Sequence, residues 1–165
     1  MKRVSAYGRA LCFEFEGDKV QLSLGEAVAA KWARAVLEPP PSLAKKLGIT
    51  LGSRVRFIGD QDDGALREAL AGAEIVTRAK ADLIVARVNT PPELSLAISR
   101  AAPSVLDGAA LWIVYRKGPG HAINESDVRA AGLGAGIVDV KVASVSPVLT
   151  ALKFVKRKSQ KLHKM

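Results

Sequence analysis

Between residues 54 and 116, short apolar segments alternate with segments that carry helix signals. The apolar segments are rich in β-branched and aromatic residues, as strands are. Strands are therefore predicted at Arg54–Ile58, Glu74–Thr77, Asp82–Val88 and Ala110–Tyr115. Asp63–Leu70 is predicted to be helical, and Thr90-Pro91-Pro92-Glu93 begins a second helix that is expected to end near Ala102. Apolar strands separated by helices predict a mostly parallel sheet with helices on both faces.

The end of the chain limits the sheet topology further. Asn124 and Asp127 predict a helix start, and two strands, Ile137–Val145 and Thr150–Val155, are predicted after that helix. Only four residues separate these strands, whereas parallel neighbours need a crossover of about a dozen residues or more. The predicted fold class is therefore α/β, with a Rossmann-like mixed sheet that is mostly parallel and closes in an antiparallel pair.

The first 41 residues have a different pattern. Leu11–Phe15 and Val20–Leu24 alternate apolar and polar residues on either side of a glycine turn, which predicts a β-hairpin. Ser23-Leu24-Gly25-Glu26 matches a capping box. The helix that follows is expected to bury one apolar side and to end at the prolines 39–41. That side consists of Val28, Trp32, Ala35 and Val36. We expect this hairpin and helix to support homo-oligomer formation.

The net charge of +9 is concentrated at the C-terminal end. Residues 140–165 contain seven Lys and Arg and no acidic residue, whereas the rest of the chain is close to neutral. Weak nucleic-acid binding through Lys156, Arg157 and Lys158 is one alternative, although no aromatic residue follows Phe154 to stack on bases. The predicted domains are the hairpin and helix at 1–41, a Rossmann-like domain at 42–157 and a basic tail at 158–165.

Cysteine and apolar residues indicate the expected compartment. Cys12 is the only cysteine, so no internal disulfide can form and a reducing compartment is favoured. No apolar run is long enough to span a bilayer, and no secretory signal opens the chain. We therefore expect a cytoplasmic protein with no membrane partner. Cys12 itself is most simply a packing residue.

Acidic residues follow the first strand of the predicted sheet. Phosphate-binding loops need closely spaced glycines there, whereas this chain has Gly59-Asp60-Gln61-Asp62-Asp63. Carboxylates at this position repel a phosphate, so no cofactor is predicted. The three aspartates could hold a divalent cation, but capping of the next helix by Asp62 or Asp63 is favoured, and no metal is predicted.

The best candidate site follows the strand Ala110–Tyr115. In open α/β sheets, loops beyond the carboxyl ends of the strands form the ligand crevice. Two cations, two glycines and a helix start in one loop predict a site for an anionic small molecule, such as a phosphate or carboxylate. The candidate ligand-binding residues are Arg116, Lys117, Gly118, Gly120, His121, Asn124 and, from the acidic loop, Asp60. The alternative is a surface loop with solvated charges.

Several segments resemble the SAM-dependent methyltransferase fold. Leu47-Gly48-Ile49 with Gly52-Ser53-Arg54-Val55 is similar to the segment that leads into its first strand. Ala81–Val85 is similar to its fourth strand, and Leu106–Ile113 is similar to the turn before its fifth strand. More narrowly, residues 43–157 resemble a bacterial family, domain of unknown function three-zero-five-two. The residues that carry this narrower resemblance are Ala44–Ile49, Leu111–Lys117, Val138–Val142 and Ala151–Val155. It implies a Rossmann-like domain and no known activity.

This chain departs from the methyltransferase pattern at both cofactor-holding features. The glycine triplet is absent, and Arg78-Ala79-Lys80 stands where an acidic residue would bind the ribose hydroxyls. One βα unit is also missing between Thr77 and Asp82. These departures predict a non-enzymatic ligand-binding or protein-interaction module with a degenerate cofactor site. The alternative is an enzyme that binds a nucleotide or SAM in an altered geometry, with Asp60 as a polar anchor.

Overall fold

The structure, a computed structural model, describes residues 4–158. The chain divides into two compact units, Met1–Pro41 and Ser42–Met165, called unit 1 and unit 2 below. Unit 1 contains β1 (Val4–Tyr7), β2 (Ala10–Phe15), β3 (Asp18–Ser23) and α1 (Glu26–Leu37). Unit 2 contains α2 (Leu43–Leu47), β4 (Arg54–Ile58), α3 (Gly64–Leu70), β5 (Glu74–Ile75), β6 (Leu83–Arg87), α4 (Pro91–Leu106), β7 (Ala110–Arg116), α5 (Glu125–Gly134), β8 (Ile137–Ser144) and β9 (Leu149–Lys156).

Unit 1 has a three-stranded antiparallel sheet in the order β1-β2-β3. The predicted hairpin is confirmed as β2 and β3, which are joined by Glu16 and Gly17. Both of these residues have positive φ, 50° and 92°, as a two-residue type I′ hairpin turn requires. Strand β1, which pairs with β2, was not predicted from the sequence.

Two predictions about α1 are wrong. Gly25 is the N-cap residue and no side chain caps the helix, so the predicted capping box at residues 23–26 does not form. The helix buries its small residues Ala29 and Ala33 in a cluster with Leu11, whereas Trp32 is 56% exposed. The rest of the predicted buried side, Val28, Ala35 and Val36, is also exposed. The alanines and the larger apolar residues both recur at helical spacing. Periodicity alone therefore could not predict which of the two sides of α1 is buried.

Unit 2 has a six-stranded mixed sheet in the order β5-β4-β6-β7-β9-β8. Strands β4, β5, β6 and β7 are parallel to one another, and β9 pairs antiparallel with both β7 and β8. The predicted α/β fold class is confirmed, including the closing antiparallel pair. The last strand of the chain lies inside the sheet, and β8 forms its edge.

Both faces of this sheet are covered, as the apolar strands predict. On one face, α4 and α5 pack with alternate strand residues such as Ile84, Leu111 and Phe154. On the other face, α2 and α3 pack with the intervening residues, among them Trp112. Trp112 is fully buried, and its indole N–H donates to the carbonyl of Leu47 at 2.8 Å, which fixes α2 to the sheet.

Some element boundaries differ from the predictions. Helix α4 continues past Ala102 to Leu106 and contains Pro103, because Ala101 and Val105 remain buried against the sheet and a proline removes only one backbone donor. Strand β5 has two residues, Glu74–Ile75, and is shorter than predicted. Within residues 4–158, none of the helices is long and apolar enough to cross a membrane.

Candidate functional site

The carboxyl ends of β4, β6 and β7 lie at one edge of the main sheet, because these strands are parallel neighbours. From β4 the chain passes to β5 on one side, and then to β6 on the other side of β4. The gap between β4 and β6 is therefore the topological switch point of the sheet. In open α/β sheets, this is where ligands bind.

A cavity of about 300 Å³ opens at this switch point. Its lining comes from the end of β4, the end of β6 and residues 93–100 of α4. The polar and backbone groups that line it belong to Gly59, Asp60, Arg87, Asn89, Glu93 and Arg100. Of these residues, only Asp60 was a candidate from the sequence.

Gly59 makes the close approach of β4 and β6 possible at this cavity. Its φ is +96°, a backbone conformation that residues with a side chain rarely adopt. A Cβ atom on Gly59 would lie 2.2 Å from the carbonyl oxygen of Arg87. Any other residue at position 59 would therefore push the two strand ends apart.

Arg87, the last residue of β6, is a buried cation that sequence reasoning missed. Its side chain is 2% exposed, and its Nε lies 3.4 Å from Oδ1 of Asp62. Its Nη1 donates to the carbonyl of Val88 at 2.8 Å. A buried charge needs such partners, so the acidic loop after β4 compensates an arginine of β6. An arginine inside an otherwise apolar strand was the available signal.

The acidic loop is occupied by contacts within the protein. Oδ1 of Asp63 accepts a hydrogen bond from the backbone N–H of Leu66 at 3.0 Å, which confirms the predicted helix cap. Asp62 pairs with Arg87, and Asp60 is exposed at the cavity wall. Across residues 4–158, no group of three or more His, Cys, Asp or Glu side chains is arranged to hold a metal ion.

The predicted loop site lines two further cavities on either side of Arg116. The smaller, of about 190 Å³, is lined by Asn89, Arg116, His121, Ala122 and Ile123. Asn89 thus contacts both this cavity and the one at the switch point. Its Oδ1 is buried and accepts no hydrogen bond from any residue between 4 and 158.

Two of the candidate residues already have structural partners. The ammonium of Lys117 donates to Oγ of Ser144 and to the carbonyl of Ser146, both at 2.7 Å. Oδ1 of Asn124 accepts from the N–H groups of Ser126 and Asp127, so Asn124 caps α5 in the predicted way. The side chains of Arg116 and His121 are exposed and form no hydrogen bond or ion pair within residues 4–158.

The cavity on the other side of Arg116 has a volume of about 460 Å³. It is lined by Tyr115, Arg116, Lys117, Gly118, Pro119, Asn124, Glu125 and Thr150. Gly118 and Gly120 have positive φ, 88° and 81°, and shape the loop between the two cavities. Burial raises the pKa of Tyr115 to about 12, with a smaller effect of the Glu125 carboxylate in the same direction. The Tyr115 hydroxyl is buried without a hydrogen-bond partner in the described chain.

Two further ion pairs, Arg54–Asp82 and Lys80–Asp107, lie away from these cavities. Hydrogen bonds from the Arg54 side chain and backbone lower the pKa of Asp82, and a hydrogen bond from Lys80 lowers the pKa of Asp107. Arg54 begins β4 and Asp82 precedes β6, so their pair lies at the amino edge of the sheet. These pairs hold strand starts and turns in place.

The basic end of the chain is described only in part. Lys156 ends β9, and Lys156, Arg157 and Lys158 are exposed. The remaining cations of the basic tail, Lys161 and Lys164, lie outside the described residues, as does His163. Nucleic-acid binding through this end stays a prediction, as does homo-oligomer formation through unit 1.

Comparison with known proteins gives similarities of fold at low sequence identity. No protein-family model and no curated protein matches the sequence. A TehB-like SAM-dependent methyltransferase from Corynebacterium glutamicum is 13% identical over 80% of this chain and 97% of its own, with a TM-score of 0.46. The Methanococcus jannaschii fibrillarin pre-rRNA processing protein is 11% identical over 94% and 98%, with a TM-score of 0.45.

A third similar structure is a Bacillus subtilis tRNA methyltransferase, 8% identical over 73% of this chain and 68% of its own, with a TM-score of 0.45. At such identities and TM-scores, no residue role passes from these proteins to this chain. What these comparisons show is the fold alone, a mostly parallel sheet that closes with an antiparallel pair.

Proposed function

We propose that this protein binds a small molecule at the carboxyl edge of its main sheet and holds an anionic group of that ligand against Arg116 and His121. One observation carries this proposal: the cavity between Asn89 and the loop that follows β7, lined by an exposed guanidinium. Guanidinium groups bind phosphate and carboxylate through paired, charge-assisted hydrogen bonds. The volume of about 190 Å³ suits one such group of a ligand.

The two cations of the loop after β7, Arg116 and Lys117, have different roles. Lys117 is held by Ser144 and Ser146 and thereby anchors the loop to the connection between β8 and β9. Arg116 is the cation that remains available at the cavity wall. Gly118, Gly120 and Asn124 shape the loop and start α5, and they act on the ligand only through that shape.

The contacts of the acidic loop after β4 support a degenerate cofactor site there. Asp63 caps α3 with its own carboxylate, and Asp62 is engaged by Arg87, so the loop offers carboxylates where a phosphate site offers N–H groups. We therefore favour a ligand-binding module over an enzyme. Membership of the domain family three-zero-five-two is part of this proposal and rests on the residues quoted for it.

Titration of inorganic phosphate into the protein by calorimetry at low ionic strength tests the proposal. Arg116→Gln is expected to weaken phosphate binding by about tenfold or more, since hydrogen bonds to charged groups contribute about 1.5–3 kcal/mol. Arg67→Gln removes an equal charge from the exposed surface of α3 and is expected to have no effect. Equal weakening by both variants, or no phosphate binding to the unaltered protein, would overturn the proposal.

A second candidate function is an enzyme that binds SAM or a nucleotide in an altered geometry. Gly59 favours it, because the close approach of β4 and β6 leaves a cavity of about 300 Å³ at the switch point with Asp60 at its wall. Calorimetric titration with SAM distinguishes the two functions. Saturable SAM binding that Asp60→Asn weakens would favour the enzyme, and its absence would leave the binding module.

A further inference from the structure

The two cavities that share Asn89 as a lining residue differ in charge. The smaller has one cationic side chain, Arg116, and no carboxylate in its lining. The larger has two carboxylates, Asp60 and Glu93, and two guanidinium groups, Arg87 and Arg100. An anion is attracted to the first cavity only, because the formal charges lining the second are balanced.

The larger cavity offers both donors and acceptors of hydrogen bonds. Asp60 is exposed at its wall, and the buried Oδ1 of Asn89 accepts no hydrogen bond within the described chain. One oxygen of Glu93 accepts from the N–H of Asn89 at 2.7 Å, which fixes that carboxylate at the cavity wall. On the donor side, Arg100 is exposed, whereas Nε of the buried Arg87 lies 3.4 Å from Oδ1 of Asp62.

A neutral group with several hydroxyls matches this lining. Each hydroxyl donates one hydrogen bond and accepts others, so a polyol can satisfy carboxylate, amide oxygen and guanidinium together. A purely apolar group would leave the Asn89 oxygen unpaired, and a second anion would face Asp60 and Glu93.

We infer that the ligand is a phosphorylated polyol or sugar, with its phosphate at Arg116 and its hydroxyls in the cavity lined by Asp60, Asn89 and Arg100. This inference rests on the proposed function, since it extends the same anion site across Asn89. The volumes of about 190 and 300 Å³ fit a ligand with one phosphate and a short hydroxylated carbon chain or ring.

Calorimetric titrations with inorganic phosphate and with ribose 5-phosphate test the inference. Ribose 5-phosphate is expected to bind about tenfold more tightly or better, because two or more additional hydrogen bonds form across Asn89. Asp60→Asn and Arg100→Gln alter exposed side chains that line only the larger cavity. Each is expected to reduce the advantage of ribose 5-phosphate by about threefold or more and to leave phosphate binding unchanged.

Arg116→Gln should weaken the binding of both compounds by the same factor, and Arg67→Gln should weaken the binding of neither. If phosphate binds through Arg116 and ribose 5-phosphate binds no more tightly, the hydroxyl subsite is wrong and the proposed function stands. If neither compound binds, both proposals are overturned. An advantage for ribose 5-phosphate that survives both Asp60→Asn and Arg100→Gln would also contradict the subsite.

Discussion

Unit 1 and unit 2 bury their apolar residues in different ways. In unit 2, large side chains such as Trp112 and Phe154 are fully buried between a sheet and two pairs of helices. In unit 1, the buried residues of the helix are the alanines at 29 and 33, whereas Trp32 is exposed. An apolar stripe therefore marks a buried face only where a second layer of structure is available to cover it.

The glycines repeat this contrast. Gly59 of unit 2 has positive φ and would place a Cβ against a backbone carbonyl, whereas Gly17 of unit 1 has a similar φ and open space around it. Close packing makes a glycine of unit 2 necessary for steric as well as conformational reasons. The candidate site lies in this more tightly packed unit.

The largest expected difference between the units concerns their tryptophans. Trp112→Ala is expected to lower the free energy of unfolding by about 3–5 kcal/mol, because a fully buried ring and its hydrogen bond to Leu47 are lost. Trp32→Ala is expected to change it by less than about 1 kcal/mol. Urea unfolding followed by circular dichroism measures both. A large loss for Trp32→Ala would show that the exposed face of α1 is covered in solution.

The second prediction compares the two glycines. Gly17→Ala is expected to cost about 1–2 kcal/mol, the strain of a left-handed backbone with a Cβ. Gly59→Ala should cost about 2 kcal/mol more, because the new methyl group also displaces the carbonyl of Arg87. The same urea experiment measures the difference. Equal costs would mean that β4 and β6 separate easily at the switch point.

The third prediction uses pH. The unfolded chain releases the Tyr115 proton near pH 10, whereas the folded protein holds it to about pH 12. The contribution of Tyr115 to the free energy of unfolding is therefore fully present below pH 10 and is lost as the pH rises through 12. At pH 11 the loss amounts to about 1.4 kcal/mol.

Tyr115→Phe tests this pH dependence, since it removes the ionising hydroxyl and keeps the ring. The unfolding free energy of this variant should fall less between pH 8 and pH 11 than that of the unaltered protein. Tyr7→Phe, at a position of unit 1 that is 73% exposed, is the matched control and should behave like the unaltered protein. Parallel pH curves for the protein and Tyr115→Phe would contradict the burial of this hydroxyl.

The smallest expected effect is a gain in unit 1. Glu16 is the one non-glycine residue with positive φ among residues 4–158, at the first position of a type I′ turn. Asparagine adopts this conformation more readily, so Glu16→Asn should stabilise the hairpin by about 0.5–1 kcal/mol. Asp18→Asn removes a neighbouring carboxylate without this effect and serves as the control. No gain would indicate that the turn differs from type I′.

The sequence by itself determined the alternation of strands and helices in unit 2, the antiparallel closing pair and the helix cap at Asn124. For α3 it narrowed the cap to Asp62 or Asp63, and the structure has Asp63. Each of these depends on residues within a few positions of one another, through side-chain periodicity, connection length or a local hydrogen bond.

Only the tertiary structure decided which side of α1 is buried, that Asp62 meets Arg87, and that Lys117 is held by Ser144 and Ser146. It also placed Asn89 at both cavities. These contacts join residues far apart along the chain, brought together by the order of the strands. The apolar pattern along the sequence does not specify the strand order, because a buried strand is apolar whichever strand it pairs with.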